Sequence, residues 1–183
     1  MIRVAFVLGL LALGCGCAPG TRHIPAVEGF VLDRYLGKWY EIARLPHSFE
    51  EGLSHVTAEY SRRPDGTIQV VNRGYDAEAG RWRSATGRAR PASDEGRGEL
   101  RVTFFWPFWG AYRIIALDEE GYRYAMVTSS RMSYLWILSR SPTLPKETLC
   151  LRLAKARQYG FNLSRLILVD QSPGPPPLTP PPS

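Results

Sequence analysis

Between residues 37 and 169 apolar and polar side chains alternate in short runs separated by turn residues, the period-two pattern of half-buried strands. The runs are residues 39–43, 56–60, 67–74, 81–88, 99–105, 112–117, 122–129 and 134–139. Pro64-Asp65-Gly66, Glu78-Ala79-Gly80 and Asp118-Glu119-Glu120-Gly121 supply turns between them. Eight short strands at near-even spacing predict an antiparallel sandwich or closed barrel. The pattern then changes. Pro145 suits a first helical position, and Leu149, Leu153 and Ala156 recur at helical spacing. Gly160 suits the residue just past the end of such a helix, which should lie on the wall. Residues 161–170 read as one more strand, outside the barrel.

Alternate side chains of a barrel strand point inward. With Trp39 inward, Glu41 and Ala43 follow it, while Tyr40 and Ile42 point out. On the other strands the inward set also includes Leu100, Ala125 and Leu138. The candidate ligand-binding residues are Val56, Ala58, Tyr60, Val70, Asn72, Val102, Phe104, Tyr112, Ile114, Val127, Tyr134 and Trp136. Most are apolar or aromatic, with a few polar points, which suits an acyl chain with a polar head. The plainer reading is that these residues only fill the barrel. Residues 105–109, Phe-Trp-Pro-Phe-Trp, put four aromatics on one turn, which is costly to expose. This loop should cover the barrel mouth, enter a membrane interface or form a dimer contact.

The ends change the picture. With 183 residues the chain suits one domain. Residues 1–14 read as a signal peptide: Arg3 precedes an apolar run at 4–13 that falls short of the roughly 20 residues a spanning helix needs. Leu11-Ala12-Leu13-Gly14-Cys15 resembles a lipobox, with Cys15 lipidated and Cys17 as the alternative. Residues 15–28 then form a tether, and 172–183 a Pro-rich tail expected to be disordered. The net charge of +6 is scattered; it favours anionic surfaces and gives no basic stripe for nucleic acid. Pairing of Cys17 with Cys150 stays open. No metal is expected, because His23, His47 and His55 lack ligand spacing and read as surface or loop residues. No nucleophile elbow, phosphate loop or dinucleotide fingerprint is present, so no cofactor is called for.

Here the residues resemble a family. Gly37-Lys38-Trp39-Tyr40 resembles the first signature of lipocalins. Ala116-Leu117-Asp118 partly resembles the second, with Leu117 and Glu119 departing from it. Trp136-Ile137-Leu138-Ser139-Arg140 resembles the third. The chain over residues 29–171 is similar to the bacterial lipocalins of the apolipoprotein D-like branch. The resemblance implies an all-β fold: an eight-stranded antiparallel up-and-down barrel with one C-terminal α-helix packed on its wall. Gly37, Trp39, Asp118 and Arg140 are then structural signature residues, with the Arg140 guanidinium stacked on Trp39 at the closed end. It also implies binding, storage or transfer of a fatty acid or lysophospholipid, and a lipid-anchored outer membrane protein, taken to be on the periplasmic face. A homodimer stays open. The competing readings are a lipocalin-fold enzyme using Glu41, the one inward carboxylate, and a structural envelope lipoprotein with a protein partner.

Overall fold

A computed structural model describes residues 20–93 and 96–174. The expected signal peptide, Cys15, Cys17 and most of the Pro-rich tail lie outside the described residues. Eight strands form the barrel: β1 (Gly37–Arg44), β2 (Leu53–Arg62), β3 (Ile68–Asp76), β4 (Arg81–Pro91), β5 (Glu99–Phe105), β6 (Phe108–Leu117), β7 (Tyr124–Thr128) and β8 (Leu135–Ser139). All neighbours are antiparallel in chain order. The sheet closes because the first half of β1 pairs with β2 and its second half with β8. Closure gives every barrel strand a partner on both sides along at least part of its length.

Two cores result from the alternation. Trp39, Tyr60, Val70, Leu100, Ile114, Ala125, Val127 and Leu138 belong to the barrel interior. The opposite faces of the same strands, Ile42, Met126, Leu135 and Ile137, pack under the helix α2 (Lys146–Gln158). Leu149, Leu153 and Ala156 are the helical side of that second core, as the spacing predicts. Pro145 precedes the helix instead of opening it. Gly160, at φ 90°, ends it, with Gly160 N–H donating to Arg157 O and Phe161 N–H to Ala156 O. That is the left-handed turn that only glycine adopts without strain.

Three features depart from the sequence expectations. First, a bulge between Glu41 and Ala43 shifts the register of β1 on β8. Ala43, expected inward, packs under the helix instead. A bulge inserts one residue and so reverses the facing of the residues after it. Second, the strand expected over residues 161–170 shrinks to β9 (Ile167–Leu168), paired with Ala43 and Arg44. Phe161, Leu163 and Leu166 instead turn onto the helix core. Third, a short helix α1 (Leu32–Tyr35) precedes β1 and brings Tyr35 into the barrel interior. Leading to it, residues 20–28 lie against the barrel: Thr21 and Ile24 are buried, and Val27 bonds the backbone of Ile114 and Gly98.

Candidate functional site

The barrel encloses a cavity of about 460 Å³, within the range of small-ligand sites. Nine of the twelve candidate residues line it: Ala58, Tyr60, Val70, Val102, Phe104, Tyr112, Val127, Tyr134 and Trp136. The other three do not. Val56 is buried beside Gly74, within the register shift between Ser54 and Thr57 that interrupts β2. Ile114 is fully buried in the packed interior. Asn72 is half-buried, and its Oδ1 has no hydrogen-bond partner among the described residues. The rim is completed by Phe49, Gly110, Ala111, Ser129, Ser130 and Arg131. Several of these sit on turns and loops, where strand periodicity carries no information.

One end of the barrel is packed shut. Trp39 is wholly buried and donates through Nε1 to Tyr35 O at 2.8 Å. The Arg140 guanidinium lies 3.9 Å from the Trp39 ring centroid. Its nitrogens donate to three backbone carbonyls, those of Tyr122, Lys38 and Arg34. Gly37, at φ 92°, lets the chain turn here, and a Cβ on it would sit 3.4 Å from Arg140 Nη1. Asp118 receives Arg123 Nε at 2.5 Å and so fixes the turn after β6. None of the four signature residues lines the cavity.

Above this plug the floor is polar. The Tyr60 hydroxyl donates to Tyr112 at 2.9 Å, and the Tyr112 and Tyr35 hydroxyls lie 2.7 Å apart. Burial raises the pKa of all three phenols, so they stay neutral donors and acceptors.

One wall carries a buried charged cluster. Glu41 lines the cavity. Burial, with the nearby Glu50 charge, pushes its carboxyl well above the ordinary glutamate range. Burial opposes ionisation of Glu50 too, but His47 and the Trp136 N–H hold it below the usual value. The raised pKa favours the protonated form of Glu41, whose Oε1 accepts from Arg44 Nη1 at 2.8 Å. Arg44 also donates to Glu50 O at 2.7 Å. The Arg44 guanidinium is thus partnered by the Glu41 carboxyl and the Glu50 backbone, as a buried ion requires. Of the three histidines, His47 was expected in a loop or on the surface, yet its side chain is buried, 3.0 Å from Glu50. Arg44 comes inward because of the β1 bulge, which no alternation signal marks.

The described chain begins at the other end, the mouth. Gly20 bridges Arg131, and Thr21 bonds the backbone of Ser129 and Ser130. Cys150 is exposed and has no disulfide partner among the described residues. Among the described residues no group of His, Cys, Asp and Glu is placed to hold a metal. No described helix is long and apolar enough to cross a membrane.

A family model described as a lipocalin-like domain matches residues 30–171. The chain is similar to the outer membrane lipoprotein Blc of Vibrio cholerae: 45% identical over 170 residues, covering 93% of this chain and 99% of that one. Against the Blc of Escherichia coli K12 it is 45% identical, covering 91% and 94%. Against apolipoprotein D of Bos taurus it is 33% identical, covering 93% and 96%. Among solved structures it resembles insecticyanin of Manduca sexta, with a TM-score of 0.66 and 23% identity over 82% of this chain and 85% of that one.

Proposed function

This chain belongs to the lipocalin family, and on that premise we propose that it is an outer membrane lipoprotein holding one fatty acid or lysophospholipid in its barrel. The observation that carries the reading is the cavity: an apolar space of about 460 Å³, with neutral phenols at its floor and Arg131 at its rim. An acyl chain fits the walls, and the rim offers a cation to a phosphate or carboxylate head. The names of the Blc relatives support the place in the cell. We assign the anchor to Cys15, with Cys17 as the alternative. A multiply acylated cysteine meets the need for more than one chain in stable attachment.

Burying each CH₂ contributes about 0.8 kcal/mol, less the cost of ordering the chain. Affinity for saturated fatty acids should therefore rise with length and level off when the cavity is full. Titration with a fluorescent fatty acid, then competition by a length series, tests this. Ala58→Asp, which puts an unpaired charge on the wall, should weaken binding strongly. Ser84→Asp, on the exposed face of β4, should not. No dependence on length, or equal loss in both variants, refutes the reading.

We read the protein as a binder and not an enzyme, because the buried Glu41 carboxyl is engaged by Arg44. Glu41→Gln should accordingly keep ligand affinity; turnover of a bound lipid that disappears in this variant would favour the enzyme.

A further inference from the structure

The turn between β5 and β6 exposes its aromatics at the mouth end. Phe105, Trp106 and Phe108 are 80%, 80% and 78% exposed. The adjoining Phe104, Gly110 and Ala111 line the cavity, so the aromatic tip projects beyond the cavity rim. Beside it runs an outer groove lined by Arg63, Arg88, Arg90, Thr103, Trp106 and Trp109. Arg88 and Arg90 are exposed, as is Arg101, which faces Arg90 across the strands. These three have no carboxylate partner among the described residues. Arg90 lies 4.6 Å over the Trp109 ring, and Thr103, 7% exposed, keeps an Oγ1 without a hydrogen-bond partner.

We propose that the β5–β6 tip is a second membrane contact: Phe105, Trp106 and Phe108 enter the interface of an anionic bilayer while Arg88, Arg90 and Arg101 meet lipid phosphates. Aromatic rings with one polar edge favour that depth, and each arginine near an anionic surface adds affinity. The chain entry supports the same orientation. Gly20 bridges Arg131 at the cavity rim. Cys15 is five residues earlier, so at about 3.3–3.6 Å per residue it lies no more than roughly 18 Å from the rim. Only the joint anchoring rests on the proposed function: a lipid on Cys15 and the aromatic tip then hold the same end to the bilayer. The cavity mouth faces the membrane, and lipid passes between the two without crossing open water.

The test uses the full chain with Cys15→Ser and Cys17→Ser, so that no acyl anchor contributes. Partition is measured by co-sedimentation with vesicles of phosphatidylethanolamine and phosphatidylglycerol, and with phosphatidylcholine vesicles. The anionic vesicles should be preferred, with the preference lost at high salt. Phe105→Ser with Trp106→Ser and Phe108→Ser should lower partition by about tenfold or more. Arg88→Gln with Arg90→Gln and Arg101→Gln should cancel the anionic preference, at roughly fivefold per arginine. Fluorescent fatty acid binding, measured on each sample, should stay unchanged and reports that the barrel and its cavity are intact. Unchanged vesicle partition in the aromatic variant overturns the proposal even if the cavity binds lipid. So does a shift from dimer to monomer without a vesicle effect, which would make the tip a contact between copies. Failure of fatty acid binding in the parent protein would instead strike the carrier reading and leave the docking result standing.

Discussion

Removing Trp39 should unfasten the closed end, and the structure sets the size of the effect. The side chain is wholly buried, and Trp→Ala in a core costs about 3–5 kcal/mol. Part of that is its contact with Arg140, 3.9 Å from the ring centroid, worth about 0.5–2 kcal/mol for a half-covered pair. Arg140 has its own share through three carbonyl acceptors. Hydrogen bonds from a charged group contribute about 1.5–3 kcal/mol each when buried. This guanidinium is only half-buried, so about 2 kcal/mol in all is the reasonable expectation for Arg140→Ala. Arg140→Lys keeps the charge but loses the planar fork that reaches Tyr122, Lys38 and Arg34 together, and should recover less than half of the loss. Urea denaturation of wild type, Trp39→Ala, Arg140→Ala and the double variant closes the cycle. The coupling should be about 0.5–2 kcal/mol. Coupling indistinguishable from zero would refute the stacking argument. A Trp39→Ala cost below about 1 kcal/mol would refute its role as the plug.

The same geometry sets other outcomes. Gly37→Ala should cost about 1–2 kcal/mol, because φ is 92° there; thermal melting checks it, and a neutral effect would mean the turn relaxes freely. The Glu41 carboxyl has its folded pKa raised above the ordinary value of 4.5. Its contribution is thus full below that value and is lost as pH rises through the folded pKa. The stability of Glu41→Gln should lack this decline, since a neutral amide oxygen still accepts from Arg44; parallel stability curves for the two proteins from acid to alkaline pH would refute a protonated Glu41. Labelled palmitate should enter the wild-type protein and not Cys15→Ser. Label that persists there but is lost in Cys17→Ser moves the anchor to Cys17.

The sequence alone determined the parts whose information is local. Period-two alternation fixed the faces of β5, β7 and β8, because β5 on β4 and β7 on β8 pair without a break where Val102, Val127 and Trp136 stand. Helical spacing fixed which side of α2 meets the wall. Trp39 and Arg140 were legible only through their motifs, since nothing local shows that residues a hundred positions apart will stack. Tertiary structure decided the rest. The bulge at Glu41 and Ala43 sent Ala43 outward and brought Arg44 in. Thr103 points away from the cavity, yet it is buried on the outer wall. His47 and Glu50 come from a turn, but closure of the barrel folds them against Glu41 and Trp136. Alternation encodes a face only while every residue advances the strand by one step; a single inserted residue reverses the parity. Whether a face is then open, packed or charged depends on which distant segment the closed sheet brings against it.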